Sequence, residues 1–313
     1  MDRAEVVGLG SCTVDFFALV PRLIGAEEKI NVPRLEILAG GVTANNLTQV
    51  ARLGARSGWI GLLGDDANAE IIRRQFVEDA MDISGLEVVP GERSSFTWIP
   101  VDAQGDRLIY MFPNVTARVT AAQMRDRFAP HIRAARHFHT EASQLPLDPV
   151  LEAMRIAREA GVRVFFDLDV SPRDFFAAEL GTETELQRAI SLADVLKPCK
   201  AAAHELTGED DPVRMAEKLL EFGPTLVTIT MGAEGCLVAS RERVVHCPGF
   251  SVQVVDTTGA GDAFLGGLSY AFLKGQAPAE AGRFANACAA LCCTRVGARA
   301  MAPLREVESL LSS

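Results

Sequence analysis

The chain has 313 residues, of which 48% are hydrophobic and 23% charged, with a formal net charge of −10. That is the composition of a soluble globular protein long enough to bury a core without disulfides or structural metals. The acidic balance excludes a general nucleic-acid binder, which needs a basic surface, while leaving room for a few phosphates held by loops, metal ions or helix termini.

Seven cysteines, at 12, 199, 236, 247, 288, 292 and 293, form no CxxC pair, so neither a disulfide framework nor a zinc site is expected. Reduced thiols in a cytoplasmic protein are the simpler reading. No apolar run approaches the roughly 18–20 residues of a membrane span. The opening Glu5-Val6-Val7-Gly8-Leu9-Gly10 reads as a first strand, not as a signal peptide.

In chain order, central strands are expected at 5–10, 56–63, 136–139, 162–167, 194–197 and 225–230, with helical patterns between them. Leu47, Val50, Ala51 and Gly54 share one helical face, as do Val150, Met154 and Ala157 ahead of a left-handed stop at Gly161. Asp211-Pro212 supplies an N-cap and a first-turn proline for a helix carrying Val213, Ala216 and Leu220. This alternation predicts a three-layer α/β fold with a mostly parallel central sheet flanked by helices. No repeat or linker divides the chain, so residues 1–313 are expected to form one domain.

Two regions break the rhythm. Strands at 14–20 and 34–38, and at 96–101 and 107–112 around the turn-rich Asp102-Ala103-Gln104-Gly105-Asp106, are not followed by crossover helices. They predict a small projecting β-sheet built from about 14–38 and 96–112. Such a sheet either covers a site and excludes water or decorates a sheet edge.

The run Asp256-Thr257-Thr258-Gly259-Ala260-Gly261-Asp262-Ala263-Phe264-Leu265-Gly266-Gly267 carries the chemistry. A strand is expected at Phe250–Val255 before it and a small-residue helix after it. The amides of Gly259, Ala260 and Gly261 would then face out of a helix N-terminus, which is an anion site. Asp262, in the first turn, is awkward beside an anion unless it takes a proton. The functional reading is a phosphoryl anion hole with Asp262 as general base; taken alone, an N-capping aspartate is the plainer one.

Other features read as structural. His137-Phe138-His139 alternates along a strand, and Cys292-Cys293 follows Phe284, Cys288 and Leu291 on a core-facing helix. Asp167, Asp169 and Arg173 follow a central strand, where ligand contacts and structural roles are both open.

The run DTTGAGDAFLGG resembles the C-terminal signature of the PfkB (ribokinase-like) family of carbohydrate kinases. Three further segments fall in that family's order. Gly40-Gly41-Val42-Thr43-Ala44-Asn45-Asn46 resembles its N-terminal signature, and Thr230-Met231-Gly232-Ala233-Glu234-Gly235 its nucleotide-site segment. Phe284-Ala285-Asn286-Ala287 with Thr294–Ala298 is similar to its adenine-side helix and loop. The resemblance covers essentially the whole chain. It implies an ATP-dependent kinase acting on a ketose, pentose or sugar acid, with ATP and Mg2+ as cofactors.

It further implies Asp262 as base and Gly259, Ala260 and Gly261 as anion-hole amides. Asp15, Gly41 and Asn45 would face the sugar, and Thr230, Gly232, Gly235 and Asn286 would lie on the ATP side. Asp256, Thr258 and Gly297 would hold a monovalent cation such as K+. A homodimer through the projecting sheet is a further expectation.

The chain departs from the family at Lys197-Pro198-Cys199-Lys200-Ala201-Ala202. There many members carry N-x-x-E, and Cys199 and Ala202 replace the asparagine and glutamate. A thiol and a methyl offer Mg2+ no hard oxygen. Weakened metal organisation is the first reading of this departure. A catalytically silent sugar- or nucleotide-binding regulator is the alternative from another class. A nucleoside kinase is also open, since Phe16, Phe17, Phe96 and Trp98 would offer stacking surfaces.

Overall fold

Alternate residues of single strands enter two different apolar clusters. Val7, Phe138, Phe166 and Leu196 join one, and Val6, Phe165 and Val195 the other. A strand that buries both its faces must lie in a sheet covered by helices on both sides. The computed structural model, which describes residues 3–312, has this three-layer arrangement.

The strands are Val6–Leu9 (β1), Thr13–Leu19 (β2), Arg34–Gly40 (β3), Ser57–Trp59 (β4), Gly61–Leu63 (β5), Leu86–Val88 (β6) and Phe96–Val101 (β7). They continue with Tyr110–Phe112 (β8), His137–Ala142 (β9), Arg163–Leu168 (β10), Val195–Pro198 (β11), Leu226–Thr230 (β12), Cys236–Ala239 (β13) and Val244–Cys247 (β14). The central sheet runs β14-β13-β12-β11-β10-β9-β1-β4. It is parallel from β12 to β4, with β13 and β14 antiparallel at one edge.

The second sheet is β3-β2-β7-β8, with β2 and β7 parallel and both outer pairs antiparallel. It joins the two chain segments expected from sequence. The helix Val42–Arg52 follows β3 directly and crosses to β4, so the first pair does lead into a crossover helix.

Four details differ from the sequence expectations. The run 56–63 splits, β4 joining the central sheet while β5 pairs with β6 in a two-stranded sheet. The strand expected at 107–112 shortens to β8, with one isolated bridge between Val101 and Arg107. Phe250–Val255 is not a strand: the Val255 and Asp256 amides donate to the Cys293 carbonyl, and Val254 and Val255 are exposed. In the helix Pro212–Glu221, Val213 faces solvent while Met215, Ala216, Leu219 and Leu220 are buried.

His137 and His139 lie in the core, where burial pushes both down to about 3 and keeps the rings neutral. All seven cysteines are free thiols. Among the described residues no helix is long and apolar enough to cross a membrane.

Candidate active site

The helix Val42–Arg52 begins without a capping side chain of its own, because its N-cap is Gly41 with φ 99°. A Cβ at Gly41 would lie 2.6 Å from the Ser11 carbonyl oxygen, so only glycine permits this close turn. The first amides are satisfied from elsewhere. Val42 N donates to Ser11 Oγ (2.8 Å), and Thr43 N donates to Glu141 Oε2 (2.9 Å) at the end of β9. The turn is thereby tied to the C-terminal ends of β1 and β9, and Asn45 is fixed in the first helical turn.

The helix Ala260–Leu273 starts the same way, from Gly259 at φ 80°. A Cβ there would meet the Ala298 carbonyl oxygen at 2.0 Å. The first-turn amides of such a helix have no intrahelical acceptors and face an incoming anion. Ala260 N does make a long 3.3 Å contact with Thr257 O. The two helices pack closely enough that a Cβ at Gly266 would lie 2.5 Å from the Asn46 carbonyl oxygen. That approach brings Asn45 Nδ2 to 2.8 Å from Asp262 Oδ2.

Asp262 is buried, and its carboxyl is raised well above the ordinary aspartate range. Burial is the main cause; Asp169 and Asp167 add to it, while Lys197 and the Asn45 bond pull the other way. Lys197 Nζ donates to both Asp167 oxygens (2.8 and 2.9 Å), a buried pair beneath the glycine turn. Burial opposes the lysine's charge, but Asp167, Asp169 and Asp262 outweigh it and hold the ammonium protonated. A Cβ at Gly261 would be 3.3 Å from that nitrogen.

Asp15, Gly41, Asn45, Thr258, Gly259, Gly261 and Asp262 line one cavity of about 240 Å³. Asp15 accepts from Thr13 Oγ1 (2.8 Å), and burial raises its carboxyl despite Thr13, Arg299 and Thr97 nearby. The two-residue period of strands decides what else faces in. Thr13 and Asp15 of β2, and Thr97 and Ile99 of β7, line the cavity. Phe16, Phe96 and Trp98 therefore point to the opposite face of that sheet, where Phe96 stacks on Phe112 with ring centroids 4.2 Å apart. No aromatic ring lines the cavity among the described residues.

Asp256 ties two loops together. Its oxygens accept from Thr258 N (2.9 Å), Thr258 Oγ1 (2.7 Å) and Gly297 N (2.9 Å). Burial alone would raise its carboxyl, but these bonds leave it below the usual range.

The residues expected around ATP gather at the end of β12. Thr230 closes that strand, and Gly232 and Gly235 bracket a single 3-10 turn. Asn286 is buried and donates Nδ2 to the Cys247 (2.8 Å) and Pro248 (3.1 Å) carbonyls.

The pfkB family carbohydrate kinase pattern matches residues 3–305. The chain belongs to this family. Ribokinase of Haemophilus influenzae is 29% identical over 309 residues, covering 97% of each chain. Fructokinase-1 of Zea mays is 31% identical over 313 residues, covering 95% of this chain and 94% of that protein. A structure assigned to ribokinase II of Escherichia coli, in complex with ATP and Mg2+, superposes with a TM-score of 0.84 at 26% identity over 99% of each chain.

The pfkB kinase is thus an ATP-dependent phosphotransferase of the ribokinase and fructokinase kind. At the departure from the family's usual pattern, Cys199 is the N-cap of the helix Lys200–Thr207 and Ala202 is fully buried. Among the described residues no group of three His, Cys, Asp or Glu is arranged to hold a metal. Glu205, one turn on, accepts from Arg173 N, and the Arg173 side chain is exposed.

Four charged residues at this pfkB site went unassigned in the sequence: Arg107, Glu141, Lys197 and Arg299. Arg107 Nη1 reaches from the β7–β8 connection to Thr258 Oγ1 (2.8 Å), and both residues line the cavity. Glu141 accepts from Thr43 Oγ1 (2.6 Å) and from Ser143 Oγ, and burial raises its carboxyl. Its place at the C-terminal end of a central strand was the available signal. Arg299 had none.

Proposed function

We propose that this pfkB kinase phosphorylates a hydroxyl of a small sugar, with Asp262 as general base. The observation carrying the proposal is the single cavity in which Asp15, Asn45 and Asp262 meet the glycine turn. Asp262 accepts the hydroxyl proton as the oxygen attacks the γ-phosphorus, and the bond from phosphorus to the ADP oxygen breaks. Negative charge on the transferring group meets the Gly259-Ala260-Gly261 turn at the helix N-terminus. The buried Lys197 ammonium lies just beneath that turn and adds fixed positive charge.

Asp15, Gly41 and Asn45 hold and orient the acceptor. Thr230, Gly232 and Gly235 shape the ATP side, and Asn286 fixes the 247–248 backbone behind it. Mg2+ fits this chain only as a phosphate-borne ion, since no three-ligand cage exists among the described residues. Asp169, on the cavity wall, would be a carboxylate available to such an ion, which when bound would neutralise phosphate charge. A bound K+ would meet Asp256, Thr258 and Gly297, whose hydrogen bonds already order the loop.

The cavity is smaller than the roughly 300–1,000 Å³ of clefts that take drug-sized ligands, and it lacks a stacking ring. Both features favour a sugar over a nucleoside.

A coupled ATP-turnover screen over ketoses, pentoses, sugar acids and nucleosides tests this reading. Turnover with a sugar is expected; turnover with nucleosides alone would overturn it. Asp262→Asn should lower kcat by roughly 10²–10⁴-fold with ATP affinity little changed. A variant keeping more than about a third of wild-type kcat would remove the base assignment. Because the base must be ionised and its folded-state value is raised, kcat/KM should fall as the pH drops through a value above that of an ordinary aspartate.

A further inference from the structure

Arg299 lies in none of the four signature motifs, yet its guanidinium is buried behind the cavity wall. Nε donates to Asn45 Oδ1 (3.0 Å), and Nη2 donates to the Gly40 carbonyl (2.6 Å). Nη1 is buried with no oxygen acceptor, while the Cys12 thiol and the Phe76 ring, 5.6 Å to its centroid, lie against the guanidinium. The backbone around it is clamped by the helix that carries Asn45. Arg52 Nη1 donates to the Arg299 (3.2 Å) and Met301 (3.0 Å) carbonyls. Gln49 exchanges both amide bonds with Ala302 (2.9 and 3.3 Å).

Burying a cation is costly unless it is hydrogen-bonded, and an apolar side chain would avoid that cost only by leaving the Asn45 and Gly40 oxygens without their donor. What the guanidinium supplies is polarity to Asn45. The two ends of an asparagine amide have nearly the same shape, so partners decide which end points where. Here the oxygen faces a permanent donor, and the NH2 group must therefore face Asp262. A flipped amide would set N–H against N–H at Arg299 and oxygen against carboxylate at Asp262.

We infer that Arg299 is a positioning residue for phosphoryl transfer, acting through Asn45 to engage Asp262 Oδ2 and leave Oδ1 open for the acceptor proton. The inference rests on Asp262 being the base. Arg299 does not line the cavity itself. It also offsets the burial of Asp15, whose carboxyl feels the guanidinium's charge.

A double-mutant cycle tests it, with kcat and both KM values measured for wild type, Arg299→Met, Asn45→Ala and the pair. Arg299→Met should lower kcat about tenfold or more while the KM for ATP changes less than about twofold. In the Asn45→Ala background the same change should cost less than about twofold, because the interaction it served is already gone. Arg299→Gln can still give one neutral N–H to Asn45 Oδ1 and should stay within about threefold of wild-type kcat.

Equal losses from Arg299→Met in both backgrounds would overturn the inference. So would a folded Gln variant as impaired as Asn45→Ala, a result that decides the matter even if the Met variant does not fold. Wild-type turnover, with its loss in Asp262→Asn, reports on the kinase reading separately. Additive losses in an active enzyme therefore dismiss the role of Arg299 alone.

Discussion

Cys199, at a helix N-cap, and the buried Ala202 offer Mg2+ no hard oxygen, and Asp169 is a carboxylate that lines the cavity nearby. A metal held by phosphates and water binds more weakly than one whose water shell is oriented by a protein carboxylate. Wild type should therefore need more free Mg2+ for half-maximal turnover than the double variant Cys199→Asn with Ala202→Glu. Titrating free Mg2+ at fixed MgATP checks this. No shift, or a shift to higher Mg2+, would mean that these positions do not organise the metal.

At this scale the sequence was legible where glycines crowd the chemistry. Asp262 and Asn45 stand next to turns that only glycine can make, so their neighbourhood announces them. Arg299 and Glu141 carry no such mark. Their partners lie 254 and 98 residues away along the chain, and a bond across that separation leaves no local pattern.

The elements that differ most in legibility are the strands of the smaller sheet. Their two-residue period was visible, and β2, β3 and β7 lie within a residue or two of where that period placed them. The same period could have assigned Asp15 and Thr97 to one face and Phe16, Phe96 and Trp98 to the other. Phe250–Val255 misled because a β-branched run without a sheet partner reads like one with a partner; here it spends two amides on the Cys293 carbonyl. The β13–β14 hairpin was missed although Cys236–Ala239 and Val244–Cys247 are largely apolar, because two four-residue strands are too short to show a period.

If the smaller sheet closes over the acceptor, sugar and nucleotide together should slow amide exchange in Thr13–Leu19, Arg34–Gly40, Phe96–Val101 and Tyr110–Phe112 as one unit. Hydrogen exchange by mass spectrometry reads this directly. Protection limited to β2 would mean that the sheet does not move as a body.

For the whole molecule, the outer face of that sheet is the unfinished surface. Leu35 (47% exposed), Ile37 (46%), Tyr110 (51%) and Phe112 (41%) are apolar and open to solvent. Exposed apolar residues on one face of a chain of net charge −10 are what the homodimer expected from the sequence would cover. Sedimentation should find a dimer, and Ile37→Glu combined with Tyr110→Glu should give monomers. A wild type that sediments as a monomer at micromolar concentration would leave this face without its expected partner.

The approach of the helices Val42–Arg52 and Ala260–Leu273 has a consequence for traffic. At Gly266 one helix meets the Asn46 carbonyl and the Gln49 side chain of the other, so close that a Cβ would clash with both. Backbones packed this closely have little room to slide, so Asn45 and Asp262 are carried on one joint. If the smaller sheet covers the acceptor, the sugar passes on that side, beside the contact of Arg107 with Thr258.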